Sequence, residues 1–111
     1  MEEEKKLPVK VSVAFVLDLE DLFNYGLETF GLKQAENYEN EIWDLVERLP
    51  YSYRLFPECR HLPTKSKMYR WIILESHLII YRITKQDIQV LKILHSKRSI
   101  ANVKSTRSIK L

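Results

Sequence analysis

The side chains best suited to chemistry are cations and imidazoles gathered in the second half of the chain. Arg60, Lys65, Lys67 and Arg70 precede or begin one predicted strand; His95, Lys97 and Arg98 end another. A guanidinium offers a planar fork of donors to a phosphate or carboxylate. An imidazole titrates near neutrality and can move protons. Brought together, these groups make a cationic cleft for a phosphodiester or an acidic peptide; spacing along the chain does not by itself bring them together. Two readings of His95 stand: a general acid–base group, or a strand-end histidine bonded to backbone. Arg98 is either a site residue or one half of a surface salt bridge. His77, beside a turn, and His61 read as surface residues.

Other chemistries lack their parts. Gly26 and Gly31 are the only glycines, so no glycine-rich phosphate loop exists, and neither a Cys/His zinc spacing nor a G-x-S-x-G elbow is present. Cys59 is the sole cysteine. It cannot form an internal disulfide, which fits a reducing cytoplasm, and no matched base marks it as a nucleophile. The carboxylates lie mostly on helical, surface-like positions, which argues against paired-acid catalysis. Neither a metal nor a cofactor is expected.

Charge is segregated along the sequence. Up to Leu49 there are 5 Lys/Arg against 12 Asp/Glu; from Pro50 onward there are 13 against 3. The basic half is suited to an acidic partner, either nucleic acid or an acidic protein segment. With 111 residues, 45% apolar and 30% charged, the chain suits one globular domain that folds without metal or disulfide. The charged start, Met1 to Lys6, has no apolar stretch behind it and predicts no signal peptide. The apolar runs fall short of a membrane span.

These residues must be positioned by a small set of elements. Val9, Val11, Val13 and Phe15 alternate with Lys10, Ser12 and Ala14, predicting a strand with one buried face. Asp18 then predicts a helix cap, with Glu20 and Asp21 in the first turn. Leu19, Leu22, Phe23, Gly26, Leu27 and Phe30 form one stripe, and Gly31 suits the helix end. Ala35, Tyr38, Ile42, Leu45, Val46 and Leu49 form a second stripe, which Pro50 should stop. Trp43 lies off that stripe, at the core edge or exposed for a partner. Pro50, Pro57 and Pro63 mark a loop. Three strands follow, over 68–74, 77–83 and 88–94, joined by links short enough for an antiparallel meander.

The predicted fold is therefore α+β, ordered β-α-α-β-β-β, with a helical hairpin on one face of a mainly antiparallel sheet and the other face left open for binding. Residues 1–7 form an N-terminal extension, 8–98 one domain, and 99–111 a basic tail that either forms a short helix or stays mobile.

The segments Met68-Tyr69-Arg70-Trp71-Ile72-Ile73-Leu74, Leu78-Ile79-Ile80-Tyr81-Arg82-Ile83 and Ile93-Leu94-His95-Ser96-Lys97-Arg98, in this element order, resemble the RelE/ParE toxin superfamily of bacterial type II toxin–antitoxin pairs. The resemblance covers about residues 8 to 100, including a second helix that ends in Leu49-Pro50. It implies the same β-α-α-β-β-β fold. RelE-like members cut messenger RNA on the ribosome with sheet Arg and Lys residues and often a C-terminal Tyr or His; ParE-like members poison DNA gyrase. Arg98 matches the basic residue after the last strand, and Arg70 the strand arginine frequent in ParE-like proteins. Leu78 stands where RelE-like strands carry a catalytic arginine, and Lys104 falls near their terminal tyrosine. His95 is about one residue out of register with the terminal histidine of one ribonuclease branch.

The resemblance thus implies a ParE-like toxin acting on gyrase and neutralised by an acidic antitoxin laid over Arg60, Lys65, Lys67, Arg70, Lys97 and Arg98. Operator DNA would be reached only through the antitoxin. The alternative is a metal-independent, ribosome-dependent endoribonuclease, with Lys67, Arg70 and Arg98 stabilising the phosphorane and His95 moving protons. A third reading is a degenerate, non-toxic binding module.

Overall fold

The computed structural model describes residues 6–97 and 100–111. The elements are strand β1 (Val9–Val11), helices α1 (Val13–Phe30) and α2 (Leu32–Ser52), strands β2 (Tyr69–Ile73), β3 (His77–Ile83) and β4 (Ile88–His95), short helix α3 (Ile100–Lys104) and a 3-10 turn, Ser105–Ser108. The sheet order is β1-β4-β3-β2. β1 runs parallel to β4, whereas β2, β3 and β4 form the expected antiparallel meander. The fold is α+β, with the helical hairpin on one sheet face.

The first strand is shorter than its alternation predicts. Ser12 stops it: the residue is extended (φ −80, ψ 160) and its side chain accepts the Phe15 N–H at 2.9 Å. That is an N-cap, so α1 begins at Val13, and Phe15 enters the core from a helix. Asp18 is consequently not a cap. Its carboxylate accepts from the Lys92 ammonium at 2.8 Å and from the Ile93 N–H at 2.9 Å. The reason lies in the sheet. β1 pairs with β4 only as far as Val90, which leaves the outer edge of β4 bare. The Ser12 hydroxyl, donating to the Leu91 carbonyl at 2.7 Å, and the Asp18 carboxylate complete that edge from the helix.

Gly31, at φ 92, turns the chain between the helices, and its N–H donates to the Leu27 carbonyl. Pro50 does not stop α2, which runs on to Ser52. Proline removes one donor and crowds the carbonyl four residues back, but it sits in the last turn and the chain still closes beyond it, with the Tyr53 N–H donating to the Leu49 carbonyl at 2.9 Å. The Tyr81 hydroxyl then pins this helix end by donating to the Tyr53 carbonyl at 2.6 Å. Phe15, Leu19, Ile42, Val46 and Leu49 pack on Ile72, Ile79, Tyr81, Ile88 and Val90 as the main core. Trp43 is half-buried, edge-on to Phe15 at 5.6 Å, and so lies at the core edge.

The opposite face is not open. Tyr69, Trp71, Leu78, Ile80, Leu91 and Leu94 are covered by Cys59 and Leu62 of the connecting loop and by Val103 of α3. Both faces of the middle strand are apolar, and leaving one in water forfeits roughly 25 cal/mol for each Å² of apolar surface. The loop is tied to the β2 edge: the Cys59 N–H donates to the Tyr69 carbonyl and the Trp71 N–H to the Pro57 carbonyl. The C-terminal segment is tied by Arg82, which donates to the Ile109 carbonyl at 3.0 Å.

Candidate functional site

The sheet has two ends of different character. At one, β2 ends, β3 begins and β4 ends, with His77 paired to His95. At the other, β2 begins and β3 ends. The predicted site residues divide between them.

Arg70 lies toward the second end, paired with Tyr81. Tyr81 is four residues along β3 from His77, so at 3.3 Å per residue Arg70 stands about 13 Å along the strands from the His77/His95 row. Its guanidinium is used locally. Nε donates to the Lys67 carbonyl at 2.9 Å, and Nη1 to the carbonyls of Phe56 at 2.8 Å and Arg54 at 3.4 Å. Arg70 is thus a clip that gathers both ends of the connecting loop, a placement the β-strand pattern alone did not reveal. Lys65 and Lys67 are exposed beside it, Lys67 in the left-handed region at φ 54. Arg70, Arg54, Leu7, Tyr53, Ser66 and Lys85 line a shallow groove of about 830 Å³.

At the histidine end, His95 is exposed and its Nδ1 accepts the Lys97 N–H at 3.1 Å. Neutral His95 therefore carries its proton on Nε2. His77 is not a plain surface residue. It is half-buried, its Nδ1 is 2.9 Å from the Tyr38 hydroxyl, and its ring meets that of His95 edge to face at 5.4 Å. Burial first, and the neighbouring His95 second, hold His77 below its ordinary pKa of 6.5. Burial, with Glu41 and Glu75 nearby, pushes the Tyr38 phenol up. Only the strand register, which sets His77 opposite His95, could have signalled this cluster.

Arg60 stands on a groove that reaches the histidine end at Leu78 and Ser96. With Glu58 and His61 it lines a groove of about 360 Å³ floored by Trp71, Leu78 and Ile73, close to Ser96. The His61 ring stands edge-on to Trp71 at 5.9 Å. Ile73 is 62% exposed on the edge strand β2. An apolar floor rimmed by Arg60, His61 and Glu58 suits an extended segment that carries apolar side chains and an acid placed at Arg60. Lys97 follows Ser96 in the turn after β4. Arg98 lies outside the described residues.

The predicted set is therefore not one cluster: Lys65, Lys67 and Arg70 occupy one end, His95 and Lys97 the other, and Arg60 the groove. Among the described residues, no three His, Cys, Asp or Glu side chains gather as a metal site, and no helix is long and apolar enough to cross a membrane.

Comparison with known proteins agrees with this architecture. Residues 9–100 match the family described as the ParE toxin of the type II toxin–antitoxin system, parDE. A curated relative, Toxin ParE1 of Mycobacterium tuberculosis (strain CDC 1551 / Oshkosh), is 26% identical over 91 residues, covering 81% of this chain and 90% of its own. The same toxin from strain H37Rv matches equally. A solved structure titled as the chromosomal ParDE TA system from P. aeruginosa superposes with a TM-score of 0.67 at 18% identity, covering 83% of this chain and 98% of the other.

Proposed function

The chain belongs to the ParE toxin family of type II toxin–antitoxin systems, and from that premise we propose that it arrests growth through DNA gyrase and is neutralised by a cognate antitoxin. The observation that carries the choice of target is the separation of Arg70 from His95. A metal-independent ribonuclease needs guanidinium and proton-transfer groups within reach of one phosphate. Here Arg70 is spent on loop carbonyls and His95 on a backbone N–H at the other end of the sheet. Leu78, where the RelE-like branch carries a catalytic arginine, lies instead in the second core.

For the antitoxin, support comes from the P. aeruginosa structure, titled as a chromosomal ParDE TA system. The groove beside Arg60 is the seat proposed for its acidic–apolar segment, with Ile73 and Trp71 as the floor and Arg60 as the charge partner. Lys65 and Lys67 offer it further cations toward the other end of the sheet.

Expression from a tight promoter tests the target. Gyrase-trapped DNA breaks are expected, without transcript cleavage in translating extracts; transcript cleavage lost in Arg98→Ala would sink the gyrase reading. For the antitoxin, a pulldown should weaken at least tenfold in Arg60→Glu combined with Ile73→Asp. Full retention would move the seat elsewhere.

A further inference from the structure

The C-terminal segment carries a period of three that neither the fold nor the proposed target uses. Val103 and Thr106 are buried and Ile109 is partly so, whereas Lys104, Arg107 and Lys110 are all exposed. Local geometry produces this division. In a 3-10 helix three residues complete a turn, so positions i and i+3 eclipse. Lys104 is the N-cap of the 3-10 turn and Arg107 its third residue. Ile109 is extended just beyond (φ −73, ψ 129), which turns its side chain inward and leaves Lys110 outside.

This ridge is held in place. Val103 and Ile109 pack into the second core, and Arg82 donates to the Ile109 carbonyl. The Arg107 guanidinium lies over the Tyr69 ring at 5.9 Å, the same ring that Arg82 approaches at 5.8 Å. No Asp or Glu follows Asp87 in the sequence. Asp87 itself is held by Lys10 at 3.4 Å and by the Thr84 hydroxyl at 2.6 Å. Among the described residues, none of the three ridge cations forms an ion pair.

We propose that Lys104, Arg107 and Lys110 form a contact ridge for the phosphate backbone of duplex DNA, bound without reading sequence. This would be a direct contact by the toxin chain, distinct from any operator contact made through an antitoxin. Lys110 follows the extended Ile109, whereas Lys104 and Arg107 stand about 6 Å apart at 2.0 Å rise per residue. That is close to the roughly 7 Å that one DNA strand advances over two nucleotides. The ridge cations are exposed with no apolar side chain exposed between them, whereas an acidic peptide binds best where apolar side chains can also be seated. The concave, apolar-floored groove lies on the other flank of α3, lined by Ile100 and Val103. The acidic helices lie on the opposite sheet face, so the ridge presents its charge away from them.

Fluorescence anisotropy of the full chain with a labelled duplex of about 20 base pairs, titrated from ~50 to ~200 mM KCl, tests the ridge; three phosphate contacts give a log–log slope of about −2.7, or about 40-fold weaker binding across that range. Combined Lys104→Gln, Arg107→Gln and Lys110→Gln should abolish most of that slope and weaken low-salt binding at least tenfold. Lys65→Gln with Lys67→Gln removes two cations elsewhere and should leave the slope nearly unchanged. Arg107→Lys, which keeps the charge, should bind within about threefold of the parent and guards against misfolding of the triple variant. Parental binding by the triple variant, or an equal loss in the Lys65/Lys67 control, overturns the proposal. So does ridge-dependent binding of a poly-glutamate peptide with no binding of the duplex. No gyrase is present in this assay, so its failure leaves the target reading untouched.

Discussion

The two faces of the sheet are both apolar, yet they are covered by different kinds of structure. The first lies under two helices of 18 and 21 residues, each with an apolar stripe. The second lies under an irregular loop, a five-residue helix and a four-residue 3-10 turn. Helices that short do not persist in water alone; packing and a few long-range bonds hold them. The helical face should therefore carry global stability, while the second cover can open locally without unfolding the rest. Charge follows the same division, with acids on the helices and cations on the loop and C-terminal segment. The helical face would then serve as scaffold, while the second cover carries exposed cations such as Lys65, Lys104 and Arg107.

The largest test of that contrast is a pair of truncations. Ile42 is fully buried under the helices, and Ile42→Ala should cost about 2–5 kcal/mol in denaturant unfolding. Val103 is nearly as buried, but Val103→Ala should cost only about 1 kcal/mol globally. Hydrogen exchange should instead show the amides of residues 100–109 losing protection while those of α2 keep theirs. Equal global costs would mean that the two faces melt as one unit, and the contrast would fail.

A smaller effect sharpens the helical side. Asp18 joins α1 to the bare edge of β4, and its side chain is largely buried against Lys92. Asp18→Ala leaves the Ile93 N–H without its acceptor and Lys92 without its counter-ion, at a cost of about 1–3 kcal/mol. Asp18→Asn keeps an acceptor oxygen and should recover part of that loss. If both variants unfold like the parent, the edge contact adds nothing and α1 is held by its apolar stripe alone.

The same contrast explains what was legible in the sequence. The helices of the first face could be read because their apolar residues recur at three and four, and the meander because its links are short. The start of α1 was misread because Val9 to Phe15 alternates as a strand would. What decided it was the hydroxyl of Ser12, bonded to a carbonyl 79 residues away. The second cover was missed for a related reason: Cys59, Leu62 and Val103 are isolated apolar residues in polar stretches and carry no period. The same holds for the site. The basic residue types were visible, but their division between two ends and a groove depends on strand order and on which carbonyls Arg70 reaches. The three-residue period of the C-terminal ridge was present in the sequence and became meaningful only once Val103 and Thr106 were seen to be buried.

The smallest predicted effect lies where the two regions meet, at the Tyr38–His77–His95 cluster. Burial and the adjacent His95 hold His77 below its ordinary pKa of 6.5. Tyr38 on α2 and His95 at the end of β4 touch it, and Glu41 on α2 and Glu75 in the β2–β3 turn lie near the Tyr38 phenol. Because the folded pKa is depressed, the unfolded chain binds the extra proton first. Stability from this group is therefore fully present above 6.5 and is lost as pH falls from there through the folded value. The melting temperature should decline over that interval, and His77→Asn, which can still bond to the Tyr38 hydroxyl, should flatten the decline. His95→Asn should flatten it only in part, since it removes the secondary cause and leaves the burial. The two effects are separable by following the His77 ring protons by NMR in His95→Asn, where the midpoint should move up toward 6.5 without reaching it. Identical melting slopes in all three proteins would show that the cluster does not couple protonation to stability, and that the helical hairpin holds this end of the sheet without the help of His77.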